Sequence, residues 1–392
     1  MTTPAAAAPA SAPAKTGAAA APVASWPFPV GVFDQEVQNS YDQTVTATTG
    51  TVQFPDVQIE PDGWSRGWWF NFFLTATNAT ITVVPAPDYP FCAVNTVLLK
   101  GTNVPQTFGP FGGYDWMTIN KYGGYQPQGD PRADQSFVST ATSSANFSAN
   151  WTLYMPLEIS QADALGDLQN QSDNSIYRVS VTQETLATMF PTTAPSGTVT
   201  VEMTVEQDSY SEPVAALALS GRPVMNAPPV PGTRQCWQQE DDTGIVNASH
   251  TTKITNGIGY AYRNVILKEV RSGNVRSTGE GDFPDPLEVW LGGTRVKRLK
   301  QAIWKTKMSR RYQYTVKTAD TALGPENGIR VINWNADVNM APGNDARRKL
   351  LRTQDGNVFK LVGTWGNAGT LYITSNYVIP RGGPAQNASI VA

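Results

Sequence analysis

Residues Tyr89–Tyr125 read YPFCAVNTVLLKGTNVPQTFGPFGGYDWMTINKYGGY. Val94–Lys100 is an aliphatic and β-branched run of the kind that fits a pleated, half-buried strand. A polar turn and a Gly/Pro loop follow it. Tyr114–Lys121 then has the pattern of about two amphipathic helical turns, stopped at Gly123 and Gly124. A looser form of the strand returns 168 residues later, where YRNVILK (Tyr262–Lys268) answers VNTVLLK (Val94–Lys100). A second echo lies at an offset of 172, with GTVTV (Gly197–Val201) against GTLYI (Gly369–Ile373). Two echoes at nearly one spacing predict a single β unit used twice.

Composition agrees with that reading. A chain of 392 residues suits two domains with tails better than one core. It holds 33 Gly and 29 Pro, only 16% charged residues, and a middle rich in Thr, Ser, Asn, Val and aromatics, the vocabulary of strands and turns. The net charge of −3, with no basic or acidic tail, argues against direct sequence-specific nucleic-acid binding. Cys92 and Cys236 fall in different halves and are expected to be buried or free thiols. No window of ~18 apolar residues predicts a transmembrane helix. The opening 25 residues are mostly Ala and Pro, with one Lys. Pro4, Pro9 and Pro13 break any signal-peptide core, and the segment carries too little apolar side chain to repay its own ordering.

Along the chain, Trp26 and Phe28 close this arm as candidate anchors. Gly67–Leu74 puts Trp68, Phe70, Phe72 and Leu74 on one strand face and Trp69 and Phe73 on the other, so this strand is expected to be covered on both sides. Phe147–Ile159 alternates as a long half-buried strand, and Val199–Val205 repeats the pattern. VMNAPPVP (Val224–Pro231) reads as a linker, because consecutive prolines cannot enter a ladder. Further strands are expected at Tyr260–Val270, Leu287–Leu291 (with a Gly292-Gly293 hairpin turn), Ile329–Trp334, Val358–Val362 and Thr370–Ile379. Strands at regular spacing with few helices predict an all-β fold of sandwiches or barrels, and two tandem eight-stranded jelly-roll β-sandwiches, with short flanking helices and extended N- and C-terminal arms, would use this length well. The boundaries are 1–37 for the Ala/Pro-rich arm, 38–223 for the first roll, 224–234 for the linker, 235–380 for the second roll and 381–392 for the C-terminal tail.

Residues suited to catalysis are scarce. His250 is the single histidine and sits in a Ser/Thr-rich turn, the setting of a surface residue rather than a proton shuttle. No nucleophile elbow, phosphate loop or dinucleotide fingerprint occurs. The acids Glu240-Asp241-Asp242 and Glu280, Asp282 and Asp285 lack the spacing of a calcium loop and read as solvated loop carboxylates. No catalytic residue, cofactor or metal is expected. Arg295–Arg311 holds eight basic residues without one acid. It is either a helix packed through Val296, Leu299 and Ile303 with a solvated basic face, or an electrostatic contact with an acidic neighbouring subunit, a membrane surface or a nucleic-acid backbone. Trp68, Trp69, Trp304, Arg310 and Arg311 are the candidate subunit-interface residues.

Two stretches carry a family resemblance. The first is Asn95 to Lys100 followed by Gly113-Tyr114-Asp115 and Ile119–Gly124. The second is Gly259 with Tyr262-Arg263 leading into Val265-Ile266-Leu267, then Pro286–Val289 and Leu291-Gly292-Gly293. Together they resemble double jelly-roll major capsid proteins of tailless bacteriophages with an internal membrane, the tectivirus type, related in fold to adenovirus hexon. The resemblance spans roughly residues 38 to 380. It implies a virion protein without catalysis or cofactor, a homotrimer whose six jelly rolls form a pseudo-hexagonal capsomer. Its partners would be neighbouring capsomers, penton and minor capsid proteins, with the arms near the viral membrane. Two other readings compete. One is a tandem jelly-roll glycan-processing amidase, which would need paired carboxylates such as Asp241 with Glu206 or Glu212. The other is a carbohydrate- or receptor-binding spike that stacks sugars on exposed Trp and Tyr.

Overall fold

The computed structural model describes residues 25–27, 34–61, 63–77, 83–86, 88–101, 106–125, 147–159, 165–170, 177–210, 225–227, 233–271, 275–277, 281–312, 328–334, 350–354 and 356–379. In chain order the elements are β1 (Ser25–Pro27), β2 (Asp34–Thr46), β3 (Val52–Gln53), β4 (Val57–Ile59), β5 (Trp64–Ala76), β6 (Val94–Gly101), α1 (Gly113–Gly123), β7 (Phe147–Pro156), β8 (Leu168–Gln169), β9 (Tyr177–Gln183), α2 (Leu186–Met189) and β10 (Val199–Tyr210). One sheet has the order β2–β10–β5–β7, with β8 beside β5. The facing sheet pairs β3, β4 and β6 with β9. Beyond β6 an isolated bridge joins Val97 to Phe111, so the eighth strand position is held by a single bridge. Alternation explains the layers. Trp68, Phe70, Phe72 and Leu74 of β5 and Val199, Val201, Met203 and Val205 of β10 are buried in one core with Val97, Val179 and Val181 of the second sheet.

After β11 (Met225–Ala227) come β12 (Arg234–Ile245), β13 (Ser249–Ile254), β14 (Ala261–Arg271), β15 (Val275–Arg276), β16 (Leu287–Leu291), β17 (Thr294–Leu299), α3 (Gln301–Tyr312), β18 (Ile329–Asn333), β19 (Leu351–Arg352), β20 (Phe359–Thr364) and β21 (Gly369–Ile379). Here β12–β21–β14 form one sheet, with β15, β18 and β19 beside β14, and β13–β20–β16–β17 form the other. The strand order of the first sandwich is thus repeated: β12, β21, β14 and β18 stand where β2, β10, β5 and β7 stand, and β20 and β16 stand where β9 and β6 stand. The molecule is a double jelly roll.

The two sequence echoes fare differently. GTVTV and GTLYI open β10 and β21, which are equivalent strands. VNTVLLK and YRNVILK belong to β6 and β14, which occupy different places: β6 matches β16, and β14 matches β5. The likeness of that pair is one of composition. β14 is apolar because both its faces are covered, as shown below.

Three further expectations are adjusted. Val296–Leu299 is strand β17, not the start of a helix; α3 begins at Gln301, where the Asp285 carboxylate accepts a hydrogen bond from the Gln301 N–H at 3.1 Å. Ile303 does not pack α3 on the sandwich, since it is 56% exposed, while Trp304 and Met308 are buried. Gly123 lies inside α1, and the helix is ended by Gly124 in the left-handed region (φ 80°). At the boundaries, β2 opens at Asp34, within the range assigned to the arm. Within the linker range, β11 stops directly before Pro228 and forms a parallel ladder with β1, Trp26 opposite Asn226.

Candidate assembly surfaces

Ten of the eleven residues of α1 are buried, including Asp115, Thr118 and Asn120. A helix buried all round must lie between two bodies. On one side α1 closes the open edge of the first roll. Trp116 enters the core edge-to-face with Phe70 (centroids 5.0 Å apart), and its Nε1 donates to the Tyr154 carbonyl at 2.7 Å. Asn120 imitates a neighbouring strand: its Nδ2 donates to the Tyr154 carbonyl (2.6 Å) and its Oδ1 accepts from the Tyr154 N–H (2.7 Å). The Tyr154 backbone groups on the free edge of β7 are thereby satisfied.

On its other side α1 lies along β14 of the second roll. Near its N-terminus Asp115 meets Lys268 Nζ at 2.6 Å, and Lys268 also lies 4.8 Å over the Tyr372 ring. At its C-terminus, where unpaired carbonyls make the helix end negative, Arg263 donates to the Gly123 carbonyl (2.8 Å) and to the Tyr125 hydroxyl (2.6 Å). Arg263 is only 2% exposed. A bulge directs it there: Tyr262 pairs with Tyr377 and Asn264 with Asn376, which leaves Arg263 as the extra residue. Inserting one residue sends Arg263 to the α1 side, beside Asn264, Ile266 and Lys268, while Tyr262, Val265 and Leu267 fill the core of the second roll. The seam is extended by main-chain bonds. Trp237 N–H of β12 donates to the Thr107 carbonyl (2.7 Å), and Gly109 N–H donates to the Trp237 carbonyl (3.1 Å). Gly109 has φ 88°, and a Cβ there would run into the Val97 carbonyl oxygen, so only glycine permits this approach. Arg276 and Asp88 add an ion pair at 3.0 Å.

The outer face of the β2–β10–β5–β7 sheet differs in character. It presents Glu202, Glu206 and Asp208 on β10 and Asp42 beside Thr204, together with Trp69, Asn71 and Phe73 of β5. Phe73 is 36% exposed. Trp69 is half-buried, with its Nε1 on Asp208 (2.9 Å) and its ring 4.5 Å from that of Tyr154. Apart from Arg66 at its end, which meets Glu158 at 3.2 Å, no lysine or arginine lies on this face among the described residues.

The basic segment is divided by the fold. In β17, Arg295 and Arg298 reach Glu288 across the hairpin at 2.8 and 3.7 Å, and Lys297 lies 4.9 Å over the Trp334 ring. The acid missing from the linear run is supplied by β16. In α3, Ala302, Ile303, Thr306, Lys307 and Arg310 form one exposed face.

Of the candidate interface residues, Trp68 is fully buried in the chain's own core. Trp304 is spent anchoring α3, with Nε1 donating to the Val331 carbonyl at 2.7 Å, so neither indole offers surface to a neighbour. Trp69 and Arg310 are accessible. The side chains of Arg311 and Trp26 lie outside the described residues, as does Phe28. Asp115, Arg263 and Lys268, which join the rolls, stand in the motifs and echoes quoted from the sequence, but nothing there assigns them to a seam. Their signal was polar groups inside otherwise apolar runs.

The acidic clusters serve as local caps. Glu240 accepts from the backbone of Thr255 and Asn256, and Asp282 accepts from Arg271, Ser277 and Asn367. Burial would raise the Asp242 carboxyl, but hydrogen bonds from Thr252, His250 and the Gly244 N–H outweigh it and hold it below the usual range. Asp241 and Glu206 lie on different sheets of different rolls, and Glu212 is outside the described residues. Cys92 and Cys236 are free thiols, and burial pushes that of Cys236 up to about 12.

No protein-family model matches the sequence, and no curated protein matches it. Among solved structures the fold is similar to the crystal structure of the STIV MCP, with a TM-score of 0.61 and 13% identity over 91% of this chain and 99% of that one. It is also similar to the atomic structure of Sulfolobus Turreted Icosahedral Virus (0.58, 12% identity, 88% and 90% covered) and to the PBCV-1 virus capsid (0.50, 10% identity, 87% and 94% covered). At these identities the likeness is one of fold, the double jelly roll of viral major capsid proteins. It is not confined to structures from bacteriophages.

Proposed function

We propose that the chain is the major capsid protein of an icosahedral virus, a structural protein without catalytic function. The observation that carries this is the pairing of two rolls of one strand order, locked side by side by a helix buried between them. Such a chain has two similar lobes. Three copies about a three-fold axis make a ring of six, an outline that packs on a hexagonal net with a single gene product. Within that reading the protein is a homotrimeric, pseudo-hexameric capsomer of a shell over an internal membrane, as in tectivirus-like phages. Its arms contact neighbouring capsomers, penton and minor proteins, and the membrane. Light scattering on the purified protein is expected to give the mass of three 42.4 kDa chains. A stable monomer or dimer at assembly concentrations would remove the proposal.

A further inference from the structure

Helix α3 is the counterpart of α1. Each follows the sheet that contains β6 or β16 and precedes the equivalent edge strand, β7 or β18. In each the fourth residue is a tryptophan whose Nε1 donates at 2.7 Å to a carbonyl of that strand, Trp116 to Tyr154 and Trp304 to Val331. Those acceptors fix the register of the sheets behind them, because Tyr154 pairs with Trp69 of β5 and Val331 with Ile266 of β14. Trp69 therefore stands where Ile266 stands, Asn71 where Lys268 stands, and Phe73 where Val270 stands.

The outer side of α1 is used within the chain, on β14. Among the described residues nothing covers the equivalent side of α3, or the equivalent sheet face of the first roll. Their chemistry is complementary. Aligning the two tryptophans places Ile303 at the position of Asp115, Lys307 at that of Ile119 and Arg310 at that of Tyr122. The contacts of Asp115 with Lys268 and of the Tyr122 carbonyl with Asn264, carried across, bring Ile303 over Asn71 and Arg310 beside Gly67 and Asp208, with Lys307 between them at the level of Glu206. Phe73 and Ile303 are two of the five large hydrophobic residues exposed among those described.

We infer that α3 of one copy docks on the outer face of the β2–β10–β5–β7 sheet of the next copy, Lys307 against Glu206 and Ile303 against Phe73, repeating between chains the contact that α1 makes on β14 within one. This inference rests on the trimeric reading and names its interface. The contact is head-to-tail, with different surfaces on the two partners, and three such contacts close a ring. Opposite charges across it supply register and reject wrong pairings.

The test uses the full chain with Lys307→Glu, with Glu206→Lys, and with both together, each followed by light scattering over a concentration series. Both residues are exposed, and circular dichroism checks the fold of each variant. Each single reversal is expected to move trimer dissociation to at least about tenfold higher concentration. The double exchange is expected to recover most of that shift. Single variants that dissociate like the native protein, or a double variant no better than the singles, would overturn this interface while leaving a native trimer intact. A native protein that is itself monomeric would instead overturn the reading on which the interface rests.

Discussion

Glu269 lies on β14 with 0% exposure, and neither carboxylate oxygen has a hydrogen-bond partner among the described residues. Burial pushes its carboxyl up to about 7, against the pull of Arg271 and Arg330. A carboxyl whose folded value lies above its unfolded one holds more protons in the folded state between the two. Its contribution to stability is therefore lost as pH rises from about 4.5 to about 7, by about 3 kcal/mol at most. Glu269→Gln is expected to raise the thermal unfolding midpoint at pH 8, and to leave it nearly unchanged at pH 4. An equal effect at both pH values would show that folding does not shift the Glu269 carboxyl. Nothing in the string around Glu269 marks it, because KEV within an apolar strand looks like an ordinary exposed alternation. The register makes it unusual, since Glu269 follows Val265 and Leu267 on the core side of β14, opposite Leu371.

Helix α1 joins the rolls through few side chains, and Asn120 bears on both the helix and the edge of β7. Asn120→Leu would strand the Tyr154 N–H in a dry site and cost about 2 kcal/mol, read as a lower midpoint in urea unfolding. A variant as stable as the native chain would mean that the β7 edge is satisfied in another way. The place and length of α1 could be read from its glycine-bounded string, but its role as a wedge could not. Asp115 and Asn120 look like surface residues until β14 is laid over the one and the edge of β7 over the other. The error at β17 also has a physical source. Val289 pairs with Lys297 and Trp290 with Arg295, so Val296 is an extra residue in a bulge. A bulge breaks the two-residue alternation and brings Val296 and Leu299 to one side, a spacing that imitates a helix. Aromatic residues are enriched at both cores and interfaces, so sequence alone does not separate the two roles for Trp68 and Trp304.

For the molecule as a whole, the all-β class, the two rolls and most strands were legible, since alternation such as that of β7 and β10 survives wherever one sheet face is buried. The duplication was legible through β10 and β21 and misread through β6 and β14. The distance between equivalent strands shrinks along the chain, from 200 positions between the starts of β2 and β12 to 170 between those of β10 and β21. No single offset can therefore align the halves. The paired outer faces, one covered within the chain and one uncovered among the described residues, required the three-dimensional arrangement. They support the proposal that three copies close a ring of six rolls. Electron microscopy of the purified protein tests it most directly. Averaged top views should show a three-fold ring with six lobes of alternating kind around its rim; two-lobed particles, or rings with another number of lobes, would contradict it.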